Sequence, residues 1–252
     1  MAPRFHIDRV LAAGDALELP PALARHVQVL RLQPGAALLL FDGRGGEWTA
    51  RVVRMGRSAV DVEVDAHVDV DRELARPVTL ALGMPANERM DALVEKATEL
   101  GVAAIQPLVC ERSVLRLSGE RALRKRAHWQ AVAVAACEQS GRTRVPLVAP
   151  VAALANWLAG LPDPAGTVDA AGATRWLLSL RNALPLRAPP DAGAVVCLSG
   201  PEGGLTETEE AAARARGFVP VSLGPRVLRA DTAPLAVLAC MMVDDGMVRE
   251  SR

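Results

Sequence analysis

Two glycine-containing loops hold the residues whose types and order could do chemistry. The first, Leu198-Ser199-Gly200-Pro201-Glu202-Gly203-Gly204, follows the apolar run Ala194–Leu198 and leads to a helix start at Thr206. A strand, a glycine turn and a helix N-terminus normally make an anion site, because free N–H groups and a partial positive charge face the turn. This loop instead brings Glu202, Glu207, Glu209 and Glu210, with no lysine or arginine. It matches neither G-x-x-x-x-G-K-[ST] nor G-x-G-x-x-G. Thr206, with Glu209 three residues on, fits a capping box whose carboxylate would compete with a phosphate for the same N–H groups. Taken alone, the segment reads equally well as a Pro-Gly turn.

The second loop, Leu223-Gly224-Pro225-Arg226-Val227-Leu228-Arg229, repeats the design, with Pro234 near the first turn of the next helix. Both loops leave the carboxyl ends of strands, where open α/β sheets hold their ligands. Two loops built around Gly and Pro favour a flat ligand gripped by backbone groups, such as an adenosine with a neutral or cationic other end and no polyphosphate.

Several elements must position these loops. Ala36–Phe41 is an apolar run ending in a glycine turn, Glu47–Met55 alternates roughly, and AVDVEVDAHVDVD alternates apolar with acidic. Alternation with turns between predicts half-buried antiparallel strands. One helix, PPALARHVQVLRL, interrupts them. From about Pro77 the pattern becomes strand (VTLALGM), helix (ERMDALVEKATELG, with Met90, Leu93, Val94, Ala97 and Leu100 on one stripe) and strand (VAAIQPLV). That is a βαβ unit, hence a parallel sheet. A long helix from about Glu120 to Gln139 follows, then strands at VDAA, AVVCLSG and VPVSLG. The composition shift near Asp71–Pro77 predicts a small β-barrel over 1–74 and an α/β domain over 75–252.

Bulk properties remove other classes. The 252 residues carry a formal net charge of zero, but residues 112–144 hold eight Arg or Lys against two Glu, the place to look for phosphate contacts. The four cysteines form no C-x-x-C pair and lie in apolar runs, which reads as buried thiols in a reducing compartment. The four histidines have no metal-ligand spacing, so no metal is expected. The start lacks the apolar core of a signal peptide and no apolar run approaches membrane-spanning length, so a soluble, cytoplasmic protein with no membrane partner is expected. A serine hydrolase fails for want of a G-x-S-x-G elbow.

LSGPEGG, LGPRVLR with the following Asp231-Thr232-Ala233, EKATELGV and EQSGRTRVP, together with RFHID, RHVQVLRL and LFDGRG, extend over nearly the whole chain. In this order they resemble the bacterial small-subunit rRNA uracil-N3 methyltransferases, the RsmE-type branch of the SPOUT methyltransferases. The resemblance implies a PUA-like barrel that docks RNA, then an α/β parallel sheet whose chain end forms a deep trefoil knot. It implies a homodimer, S-adenosylmethionine as cofactor, and 16S rRNA of the 30S subunit as substrate, methylated at N3 of a specific uridine in the decoding region. The cofactor pocket falls to Leu198, Gly200, Glu202, Gly203, Leu223, Gly224, Leu228 and Arg229. The sulfonium is a cation, so Glu202 suits it where a Walker-type lysine would not.

Attack of uracil N3 on a methyl needs alignment, loss of the N3 proton and stabilised charge on the flanking carbonyls. Arg229 fits the carbonyl or phosphate role and Asp231 the base, although an Asp at a helix start is often only a cap. The family commonly reads L-R-T-E-T-A where this chain has Leu228-Arg229-Ala230-Asp231-Thr232-Ala233, so the acid is one methylene shorter. The strand end near Ala170–Ala171 has no sharp family signature. RNA docking falls to Arg9, Arg31, Arg112, Arg142 and Arg144. With 3% aromatic residues and no tyrosine, phosphate and shape recognition should dominate over base stacking. The competing readings are a nucleotide-dependent enzyme, a non-catalytic RNA-binding protein that kept the cofactor fold, and a related knotted methyltransferase acting on tRNA or 23S rRNA.

Overall fold

The computed structural model describes residues 2–162, 173–187 and 193–250. It divides into two compact units, Met1–Glu73 with Cys137–Val145, and Leu74–Ala136 with Pro146–Arg252.

The first unit contains β1 (Arg4–His6), β2 (Ala16–Glu18), α1 (Pro21–Val29), β3 (Ala37–Phe41), β4 (Glu47–Met55) and β5 (Val60–Val68). The strands form one sheet in the order β1-β3-β4-β5-β2, with β1 parallel to β3 and the other pairs antiparallel. In β5 the period of two is plain: Val60, Val62 and Val64 are buried while Asp61, Glu63 and Asp65 face outward. Arginines of β4 answer those acids across the ladder. Arg51 pairs with Glu63 at 2.8 Å and also with Asp65, and Arg54 pairs with Asp61 at 2.6 Å. The inner face packs Phe5, Leu38, Leu40 and Val52 against Ala24 and Val27 of α1. Helix α1 has proline at its start and ends at Leu30, after which Arg31 takes a left-handed φ of 56°.

Residues 137–145, which the sequence placed in the second domain, belong to the first unit. There the Arg142 side chain is buried and its Nε donates to both Glu73 carboxylate oxygens, at 3.2 and 3.1 Å. Arg4 donates to Glu47 at 2.8 Å and to the Gly141 carbonyl at 3.0 Å. Buried guanidinium groups need such partners.

The second unit runs β6 (Val78–Gly83), α2 (Asn87–Glu99), β7 (Ala104–Val109), α3 (Gly119–Ser140, whose last turn counts with the first unit), β8 (Leu147–Val148), β9 (Ala152–Ala153), α4 (Leu154–Ala159), β10 (Thr174–Leu178), β11 (Leu184–Pro185), β12 (Val195–Ser199), α5 (Glu207–Ala215), β13 (Val219–Ser222) and α6 (Thr232–Glu250). Its eight strands order as β11-β13-β10-β12-β6-β7-β8, with β9 beside β7, and every pair is parallel. Central β12 is covered on both faces, so Val195, Cys197 and Leu198 are all fully buried, which explains the unbroken apolar run. The α2 stripe packs as expected through Met90, Leu93, Val94 and Ala97, with Leu100 half-buried at its end.

The expected strand VDAA, and the strand end at Ala170–Ala171, lie outside the described residues; the strand found next to β12 is β10. Cys110, Cys137 and Cys197 are buried, and burial pushes each thiol up to about 12. Cys240 corrects the expectation, being exposed on α6. Among the described residues no helix is long and apolar enough to cross a membrane.

Candidate functional site

The carboxyl ends of β10, β12 and β13 open into one cavity of about 560 Å³, walled by the segments that follow each strand. This is where a parallel sheet presents free strand ends to a ligand.

The β12–α5 loop can lie flat across the end of β6 only because Gly83 lacks a side chain. A Cβ there would stand 2.5 Å from both the nitrogen and Cδ of Pro201. Gly200 is also close-packed, with a Cβ position 2.9 Å from the Leu205 nitrogen. The glycines therefore bring backbone against backbone.

The loop's acids are engaged in holding this shape. Thr206 Oγ1 accepts from the Glu209 amide at 3.2 Å, and Glu209 Oε2 accepts from the Thr206 amide at 2.9 Å, completing the capping box. The other Glu209 oxygen accepts from the Glu111 amide at 2.8 Å. The N-terminus of α5 is thus sealed by its own chain, as the sequence indicated, and is not a phosphate site. Glu202 does related work at longer range. Its Oε1 accepts from the Ala86 amide at 3.0 Å and lies 3.7 Å from Arg89 Nη1. Ala86 is the N-cap position of α2, which has no side-chain cap of its own, so Glu202 supplies one. Its carboxylate lines the cavity, but the oxygen expected to face a cation is shared with a helix end.

Six of the eight expected cofactor residues line the cavity: Gly200, Glu202, Gly203, Leu223, Leu228 and Arg229. Leu198 does not, because one residue before the strand end its side chain packs into the core with Ala81 and Leu177. Gly224 is also outside the wall. It turns the loop with a φ of +111°, held by a hydrogen bond from its amide to Ser222 Oγ at 3.2 Å. Asp231 lies apart from these residues. It stands just before α6, accepting from Thr232 Oγ1 at 3.4 Å, and it is not part of the cavity wall. The Arg229 carbonyl caps α6 instead, accepting from the Thr232 and Ala233 amides at 3.0 Å each.

Of the expected RNA contacts, Arg112 lines this cavity and donates to the Gly203 carbonyl at 3.1 Å. Arg9 is half-exposed and pairs with Asp15 at 3.2 Å. Arg31 and Arg144 are exposed. Arg142 is withdrawn from the set, since a guanidinium 3% exposed and held by Glu73 presents nothing to a phosphate.

The sequence reading missed the β10 side of the cavity, formed by Leu178, Ser179, Leu180 and Arg181. The apolar run in TRWLLSL was the available signal. It also missed Glu210, whose carboxylate accepts from Ser179 Oγ at 3.1 Å and faces the same space, and the rim arginines Arg89 and Arg226.

The site suits S-adenosylmethionine by its own chemistry. Leucines 178, 205, 223 and 228 offer apolar walls for a purine, three glycines (Gly200, Gly203 and Gly204) leave backbone groups accessible, and the lining includes carboxylates but no lysine. Comparison with known proteins agrees. Residues 72–242 match the RNA methyltransferase domain and residues 19–65 the RNA methyltransferase PUA domain. The chain is 36% identical to the ribosomal RNA small subunit methyltransferase E of Synechocystis, over 84% of this chain and 67% of that one. It is 31% identical to the protein of that name from Bacillus subtilis, over 88% of each. The crystal structure of the Neisseria gonorrhoeae ribosomal RNA small subunit methyltransferase E, bound to S-adenosylmethionine, superposes with a TM-score of 0.88 at 38% identity, covering 96% of this chain and 98% of that one. A Legionella pneumophila protein holding the same cofactor gives 0.88 at 31% identity, covering 97% of this chain and 98% of that one.

Proposed function

The chain belongs to the ribosomal RNA small subunit methyltransferase E family, and from that premise we propose that it methylates N3 of one uridine in the decoding region of 16S rRNA within the 30S subunit. It is an S-adenosylmethionine-dependent enzyme of rRNA. The observation that carries the reading is the glycine-bordered, lysine-free cavity at the ends of β10, β12 and β13.

When bound, S-adenosylmethionine supplies an electrophilic methyl on a positive sulfonium. The chain's residues do the rest. Gly200 and Gly203 let the loop backbone approach the ligand, and Leu223 and Leu228 exclude water from its flat face. Arg229, in the wall and with no side-chain hydrogen bond among the described residues, stabilises charge on a uracil carbonyl as the N3 proton leaves to solvent. Asp231 lies outside the wall and is given no part in proton transfer in this reading. A base paired in a duplex hides N3, so the target uridine enters unpaired or flipped out. The cytoplasm, a homodimer and a knotted C-terminal chain are part of this proposal.

The test is transfer of labelled methyl from S-adenosylmethionine to unmodified 30S subunits, free 16S rRNA, 50S subunits and tRNA, with product nucleosides identified. Label as 3-methyluridine in 30S alone is expected. Label on ribose, in tRNA or in 50S overturns the assignment. Cofactor binding without any transfer favours the non-catalytic RNA-binding reading.

A further inference from the structure

Charge around the cavity exceeds what its cofactor can answer. Five arginines line it, Arg89, Arg112, Arg181, Arg226 and Arg229, against Glu202 and Glu210. Both acids are occupied, Glu202 by the Ala86 amide and Arg89, and Glu210 by Ser179 and by Arg214 at 3.5 Å. Arg181 has its own partner in Glu207 at 3.1 Å. Arg112, Arg226 and Arg229 have no carboxylate partner among the described residues. S-adenosylmethionine brings one carboxylate together with a sulfonium and an amino group, so it cannot neutralise three guanidinium groups. A ligand with several anionic groups is the missing complement.

The loop between β13 and α6 shows how that ligand is met. Leu228 turns inward, half-buried, while Arg226, Val227 and Arg229 stay exposed, with Val227 at 81%. Two guanidinium groups three residues apart therefore stand at the mouth. Arg226 makes no side-chain hydrogen bond among the described residues and is not needed to hold the loop, whose shape rests on Ser222 and Gly224.

We propose that Arg226 grips a backbone phosphate of the RNA beside the nucleotide that enters the cavity, leaving Arg229 for the base. The proposal rests on the rRNA methyltransferase reading. A phosphate contact positions the strand without reading sequence, and its energy is largely counterion release.

The experiment measures binding of unmodified 30S subunits across a salt series, cofactor affinity by calorimetry, and methyl transfer, for the wild type, Arg226→Gln, Arg226→Lys and Arg181→Gln. Arg226→Gln is expected to weaken 30S binding about tenfold at low salt and to lower the salt slope by about one. KM for 30S should rise with kcat largely kept, and cofactor affinity should stay within about twofold. Arg226→Lys should restore most of the slope, because a phosphate accepts a point charge. Arg181→Gln, whose parent is already paired, should move the slope less. An unchanged slope in Arg226→Gln overturns the proposal, as does a loss of cofactor affinity, which would make Arg226 a contact of the cofactor carboxylate. A wild type that transfers methyl normally beside an unaffected Arg226→Gln sinks this inference alone. A wild type with neither transfer nor salt-dependent 30S binding sinks the functional reading with it.

Discussion

Two sets of arginines, one in each unit, do opposite work. In the first, Arg4, Arg51, Arg54, Arg72 and Arg142 each meet a carboxylate, and two of them are buried. Around the cavity of the second, Arg112, Arg226 and Arg229 meet none among the described residues. The first set is structural, the second waits for an anion. Counting cations along the chain cannot separate them, because Arg142 and Arg144 are two residues apart and only Arg144 is exposed.

Removing a structural arginine breaks the comparison most sharply. Arg142→Ala removes the buried guanidinium that donates to the Glu73 carboxylate, and should cost about 3–5 kcal/mol in urea unfolding. Binding of 30S subunits by the remaining folded protein should be unchanged, and a fall in its salt slope would return Arg142 to the RNA face. Next comes the strand end on which the β12–α5 loop rests. Gly83→Val forces a side chain into Pro201 and should cost about 1–3 kcal/mol of stability. Calorimetry should also show at least a tenfold loss of cofactor affinity, and retained affinity would mean the β12–α5 loop does not form the cradle. A smaller effect belongs to the acid between the two kinds of site. Glu202→Ala should cost about 1 kcal/mol as a lost helix cap. Glu202→Gln should keep cofactor affinity within about twofold, whereas a large loss would assign its charge to the sulfonium. The smallest effect is expected at the solvent-facing pairs of β4 and β5. Arg51→Ala should cost less than about 1 kcal/mol and leave the salt slope for 30S unmoved.

What was legible in the sequence followed from local physics. The capping box at Thr206 and Glu209 has a fixed three-residue spacing, and the alternation of β5 reflects a one-sided sheet, so each could be read from neighbours in the chain. The two loops could be placed at strand ends for the same reason. The Glu202 contact with Ala86 could not, since it depends on which strands become neighbours. Nor could the burial of Arg142, whose partner Glu73 lies 69 positions away. The place of Leu198 turned on a single residue of strand length. That Asp231 stands outside the cavity wall was not legible either, since a sequence motif gives the order of residues and not which of them face the same space. β10 was missed for a different reason: its five residues (Thr174–Leu178) are too short to show a period.

The bond from Glu202 to the Ala86 amide joins positions 116 residues apart, and β12 sits between β6 and β10 rather than at an edge of the sheet. During synthesis the segment that carries β6 and α2 leaves the ribosome long before its neighbour and its cap exist. Contacts that close such long loops form late. A growing chain therefore holds half a pocket until the stretch up to the start of α6 has emerged, so capacity for the cofactor comes only after more than two hundred residues have been made.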